Sequence, residues 1–143
     1  MFEAVYFAMN EVTSDAFRAA MRRLASGVTI ITTRHNGVRG GLTATAVCSL
    51  TADPPQILVC VNRSASAHDL ISEGGNLCVN LLAHDHQGLA STFAGAVQGD
   101  ARFNNGEWST LVTGAPVLCD ALASFDCVVR EKVSTETHTI YIG

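Results

Sequence analysis

From Leu42 to Thr51 apolar and hydroxyl-bearing residues alternate. Leu42, Ala44, Ala46, Cys48 and Leu50 take one parity, and Thr43, Thr45, Ser49 and Thr51 take the other, with Val47 breaking the rule. Successive side chains of an extended chain point to opposite faces, so this pattern predicts a strand with one apolar and one hydroxyl face. Pro54-Pro55 cannot continue a central strand and predicts a reversal. The apolar run Ile57 to Val61 then suits a buried strand, which empties into the polar loop Asn62-Arg63-Ser64-Ala65-Ser66. Ser66 followed by Asp69 has capping-box spacing and predicts a short helix over 67–72. Free backbone N–H groups at such a helix start, with hydroxyls and an arginine beside them, suit a phosphate.

The flanking patterns are shorter. Ser14 or Asp15 is placed to cap a first helix with Phe17, Ala20, Met21 and Leu24 on one face, Arg18, Arg22 and Arg23 on a solvated face, and Gly27 ending it. Val28 to Thr33 is a β-branched strand, and Asn36-Gly37 is a hairpin signal that leads into the central stretch. Gly74-Gly75-Asn76 ends the second helix, and Leu77 to Leu82 returns as a strand. A helix over 85–93 follows, with Leu89 and Phe93 inward. Residues 95–116 hold four glycines and Pro116, which predicts a long surface excursion. Two late strands, 123–133 and 138–142, are separated by a polar turn at Ser134 to Thr137. Strands joined by short turns, with few short helices, indicate a mainly β, antiparallel Greek-key barrel. No G-x-G-x-x-G supports a dinucleotide-binding sheet.

Composition narrows the function classes. With 143 residues, 48% hydrophobic and 15% charged, the chain is expected to form one well-packed domain, 1–143, with residues 1–13 as an N-terminal arm. A formal charge of −4 argues against nucleic acid or an anionic membrane as partner. Five cysteines without a C-x-x-C pair read as reduced core residues of a cytoplasmic protein. The apolar start, Met1 to Met9, has no basic n-region and is too short to span a bilayer, so neither a signal peptide nor a membrane span is expected. His84-x-His86 offers two metal ligands and no third, which favours solvated loop histidines and no metal site. Trp108 reads as a core anchor or as the cover of a cofactor edge.

The motifs Thr43-Ala44-Thr45-Ala46-Val47-Cys48-Ser49, Asp53-Pro54-Pro55, Val59-Cys60-Val61-Asn62, Ser64-Ala65-Ser66 and Leu77-Cys78-Val79-Asn80 resemble the short-chain flavin reductases, which supply reduced flavin to two-component monooxygenases. Phe93-Ala94-Gly95, Arg102-Phe103, Trp108, Ala115-Pro116 and Thr137-His138 continue the match. The resemblance implies a split-barrel flavin-binding fold, a homodimer, and hydride transfer from NADH or NADPH to FMN or FAD. It places Thr45, Ala46, Val47, Cys48 and Ser49 along the flavin ring and ribityl chain, Asn62, Ser64 and Ser66 around the phosphate, and His138 beside the nicotinamide. Arg63 reads equally as a phosphate neutraliser or a surface charge. Taken alone, Thr45 and Ser66 read as a solvent-facing strand residue and a helix cap. Many members carry Gly-Asp-His where this chain has Glu136-Thr137-His138, so an acidic partner for the histidine is missing. The family also runs on for about two strands beyond Gly143. A split-barrel protein with tightly bound FMN and a non-catalytic flavin-binding dimer are the alternative functions.

Overall fold

The computed structural model describes residues 11–143. Helix α1, Ser14–Met21, is capped by Thr13, whose side chain accepts the amide of Ala16 at 3.2 Å. The cap lies one residue before Ser14, the earlier of the two expected caps, and the helix ends well short of Gly27. Its apolar stripe faces outward, with Phe17 and Leu24 exposed, because no other described element packs on it.

Two antiparallel sheets follow. The first has the order β2 (Val38–Ala44), β1 (Thr29–His35), β5 (Asn76–Leu81), β8 (Ala123–Val128). The second has the order β3 (Val47–Ala52), β4 (Pro55–Asn62), β10 (His138–Ile142), β9 (Glu131–Ser134). The β1–β2 turn has Asn36 and Gly37 at φ 48° and 80°, the twin left-handed pair that a two-residue hairpin needs. The prolines also reverse the chain as expected, with Ala52 opposite Pro55.

The strand expected to run unbroken to Thr51 is instead two strands in different sheets. Ala44 and Val47 both pack against the core, and their odd separation is possible only if the extended run is interrupted between them at Thr45-Ala46. The parity break at Val47 marks the crossing. The expected strand 123–133 also divides, into β8 and β9. There the Val129 amide bonds to Gly75 O and the Arg130 amide to Ile142 O, so consecutive residues hydrogen-bond to different segments of the fold.

Both sheets share one core. Ile31, Leu77 and Val79 of the first sheet meet Val59, Val61 and Tyr141 of the second, joined by Ala67 and by Ile71 of α2 (His68–Gly74). In the run Ile57 to Val61 only Val59 and Val61 are fully buried, with Ile57 half-buried on the same face. Leu58 and Cys60 stay half-buried on the opposite face, so the expectation of a strand buried on both sides is not met.

The region expected as a helix over 85–93 is a 3₁₀ turn at His84–His86, a short α3 at Gln87–Ser91 and a π turn at Thr92–Ala96. Phe93 is buried and Leu89 packs beside it, as the periodicity predicts. The following excursion is anchored as well as superficial. Phe103, from a 3₁₀ turn at Gly99–Asn104, stacks edge-on with Phe93 and with Trp108 at 5.1 Å between ring centroids in each case. Trp108 opens β6 (Trp108–Thr110), which pairs with β7 (Pro116–Leu118).

Every buried side-chain nitrogen and oxygen among the described residues has a hydrogen-bond partner. Asn80, fully buried, donates to Ile30 O and accepts from the Leu118 amide and the Ser124 hydroxyl, tying β1, β7 and β8 to β5. The expectation of five core cysteines holds for Cys78 alone. Cys60 and Cys127 are half-buried, and Cys48 and Cys119 are exposed because they lie on the outer face of the second sheet and in the loop after β7. Burial, reinforced by the charges of Asp126 and Cys127, pushes the Cys78 thiol up to about 12.

Two outcomes follow. A Cβ at Gly41 would meet the Phe93 ring at 2.7 Å and the Ile31 carbonyl at 3.1 Å, both inside the core. Gly41→Ala should therefore cost about 1–3 kcal/mol in urea denaturation, as overpacking typically does. Alkylation of the native protein with iodoacetamide at pH 8, followed by mass spectrometry, should label Cys48 and Cys119 first and Cys78 only after denaturation, since the thiolate is the reactive form.

Candidate functional site

β3 is an edge strand, so one row of its backbone N–H and C=O groups has no strand partner among the described residues. Around that edge opens a cleft of about 1250 Å³. Thr45, Val47, Cys48 and Ser49 line it, facing Leu81, Phe125 and Cys127 of the first sheet. Ala46 stands exposed at the crossing, and its carbonyl accepts the Cys60 amide at 3.0 Å.

The second group of predicted residues lies at one end of the same sheet and does not line the cleft. His138 opens β10 directly opposite Asn62, the last residue of β4. Residues opposite each other share a face, and the register carries Cys48 across to Leu58 and Ile142, and Cys60 across to Ile140. Cys48, Asn62 and His138 therefore share the outer face of the second sheet, whereas Val47 faces the core. The apolar floor between them is made by Leu58, Cys60, Ile140 and Ile142.

Asn62 organises the loop beyond it. Its side-chain oxygen accepts the Ser64 amide at 2.9 Å and the Ser64 hydroxyl at 2.8 Å. The Arg63 amide donates to Thr137 O at 2.9 Å and its guanidinium to Thr135 O at 3.3 Å. Arg63 thus ties this loop to the turn that presents His138. That turn is closed by the Thr135 hydroxyl on the His138 carbonyl, and the Thr137 hydroxyl lies 2.8 Å from His138 Nδ1. The neighbour of this ring nitrogen is thus a hydroxyl and not a carboxylate.

Ser66 does not cap α2. The cap position is Ala67, with no side-chain bond, because the Ser66 hydroxyl accepts from Arg102 Nη1 at 3.1 Å instead. Arg102, named in the sequence only as part of a motif, is buried and also donates to the carbonyls of Val97 and Gly41. Sequence reasoning likewise missed His68, whose ring bridges Asp69 Oδ1 at 2.8 Å and Thr139 Oγ1 at 2.9 Å behind His138. The available signals were the Arg102-Phe103 motif for the one and, for the other, a position two residues past the polar loop.

His86 corrects another expectation. It is no solvated loop residue: its Nδ1 accepts the Ala83 amide at 3.0 Å, and its Nε2 lies 3.1 Å from Asp120, whose carboxyl is held below its ordinary range by that contact. Among the described residues, no group of three or more His, Cys, Asp or Glu is placed to hold a metal. No helix among them is long and apolar enough to cross a membrane.

Comparison with known proteins adds three likenesses. The FMN reductase (NADH) RutF of Yersinia enterocolitica is 49% identical over 129 residues, 90% of this chain and 71% of that protein. The solved structure of the flavin reductase PheA2 superposes with a TM-score of 0.83 at 35% identity, covering 92% of this chain and 84% of that one. BorF, the flavin reductase component of a bacterial two-component tryptophan halogenase, gives 0.83 at 32% identity, with 92% and 83% covered. Residues 21–143 match the model of the flavin reductase like domain, and the chain belongs to that family.

Proposed function

We propose that this chain is an NADH-dependent FMN reductase whose reduced product serves a partner oxygenase. The observation that carries the reading is the common outer face of Cys48, Asn62 and His138, bounded on one side by the unpaired edge of β3 and at its end by a hydroxyl loop. A flavin needs a flat apolar surface, hydrogen bonds to its polar rim and an anion site, and this face has the chemistry for all three.

Bound FMN would supply the hydride-accepting chemistry, with NADH as donor. In this reading the Thr45 hydroxyl and the edge backbone of β3 hold the polar rim, with Ser49, opposite Ile57 and on the Val47 side of the strand, contributing its backbone alone. Leu58, Cys60 and Ile140 exclude water from the ring. Asn62, through its side-chain N–H groups, and Ser66 take the phosphate, with Ser64 holding the Asn62 amide in place. Arg63, with its guanidinium on Thr135 O, acts by fixing the turn before His138. His138 orients the nicotinamide, and the Thr137 hydroxyl beside Nδ1 fixes the plane of its ring. No residue here is needed as an acid or base, because hydride transfer asks the protein chiefly for position and dryness.

The flavin reductase domain is taken to extend over the whole chain, in a cytoplasmic protein. Two copies would meet beside this site, burying the margin of the outer sheet at Leu50 and Val133, each about half exposed, and the bare stripe of α1.

Steady-state oxidation of NADH with added FMN is the first test, and absence of turnover above the no-flavin blank would refute the proposal. His138→Ala should retain the fold and flavin affinity while slowing single-turnover flavin reduction by about 100-fold, the cost of lost positioning. Reduction at the wild-type rate would remove His138 from the site. Sedimentation velocity at micromolar concentration should give a dimer, and a stable monomer would contradict the assembly.

A further inference from the structure

Arg102 lies in the 3₁₀ turn Gly99–Asn104 and is only 6% exposed. Its Nε donates to Val97 O at 2.7 Å, Nη1 to Gly41 O at 2.8 Å and to Ser66 Oγ at 3.1 Å, and Nη2 to Gln98 Oε1 at 3.2 Å. Every one of these acceptors is neutral. Asp100, two residues away, is engaged by Arg39, which grips both carboxylate oxygens at 2.7 Å while lying 4.5 Å over the Phe103 ring. No ion pair to Arg102 exists among the described residues. A guanidinium stays charged at any physiological pH, and arginines this deeply buried are normally paired. Here a full positive charge is held by dipoles alone, directly beneath an exposed serine.

The hydrogen bonds give that charge a direction. Ser66 accepts from Arg102, so its own proton points away from the guanidinium, and a charge-assisted bond to the oxygen polarises the remaining O–H as a donor. Ser64 differs, because its proton is already spent on Asn62 Oδ1. Of the two loop serines, Ser66 is the one whose proton is free for a ligand, and it is the one in contact with the buried cation.

We propose that Arg102 is a positioning residue that acts through Ser66 to select a phosphate monoester, and so sets a preference for FMN over riboflavin. The inference rests on the flavin reductase reading and adds to it the element that discriminates the phosphorylated ligand. Asn62, Ser64 and Ser66 carry no net charge, whereas a phosphate monoester is close to dianionic at neutral pH. Arg102 supplies the missing charge from below without occupying the ligand's space.

The test is equilibrium binding of FMN and of riboflavin to the full chain, at low and moderate salt, for wild type, Arg102→Gln, Arg102→Lys and Ser66→Ala. Wild type should prefer FMN, and that preference should weaken as salt rises. Arg102→Gln should cut FMN affinity by about tenfold or more, the scale of one charge-assisted hydrogen bond, while leaving riboflavin affinity unchanged. Arg102→Lys should restore most of the preference, which a purely structural clamp would not predict. Equal loss for both flavins in Arg102→Gln, or no loss for either, would overturn the proposal. Should Arg102→Gln fail to fold, Ser66→Ala decides, since a wild-type FMN-to-riboflavin ratio in that variant would overturn it as well. A wild type that reduces both flavins and binds them equally would overturn this inference while leaving the reductase reading intact, whereas a wild type that binds neither would overturn both.

Discussion

The packing of Val59, Val61 and Tyr141 against Ile31, Leu77 and Val79 is the contact on which the rest of the molecule depends. It commits the odd-numbered positions of β4 and β10 to the interior. The even-numbered positions, Leu58, Cys60, Asn62, His138 and Ile140, are thereby left on the outer face. The side chains proposed to meet ligand are therefore a consequence of where the core was built. A one-residue slip of β4 would turn Asn62 inward, and one of β10 would turn His138 inward and expose Tyr141. The hydroxyl groups on the core side show how firmly that parity is held. Thr139 is buried yet bonded to His68, and Tyr141 donates to the carbonyl of the same residue.

Much of this was legible in the residues. The β1–β2 hairpin, the reversal at Pro54-Pro55, the β10 boundaries and the inward Leu89 and Phe93 all follow from local chemistry, because turn residues and periodicity act over a few positions. The two sheet crossings were harder to read. At Thr45-Ala46 the alternating pattern continues through a break in the strand, and only Val47 is out of step. At Val129-Arg130 both flanking segments are strands, so composition does not change where the sheet does. Helix α1 was misjudged differently: its stripe has the right period, but periodicity does not say what will cover it.

The proposed site divides along the same line. The loop 62–66 and His138 stand out as polar groups at strand ends, and the register brings Asn62 and His138 opposite each other. What the sequence could not show is that Ser66 would turn from capping a helix to receiving a buried arginine. That contact joins residues 36 positions apart through a turn with no regular period. Gly40 and Gly41 are part of the same arrangement. Bare backbone there admits Leu70 and Phe93 within distances a methyl group would block, and the Gly41 carbonyl is one of the dipoles that holds the guanidinium.

Arg63 joins the loop after β4 to the turn before β10 through its own amide and its guanidinium. Neither segment can open without breaking bonds that also hold the other. Their conformational entropy is thus lost together, in one event. A ligand that immobilises the Asn62 end leaves less disorder to be removed at the His138 end, so a second ligand would bind there more readily with no displacement of the fold. The arginine would in this way couple the two ends reciprocally, each ligand easing the binding of the other, out of nothing more than shared rigidity.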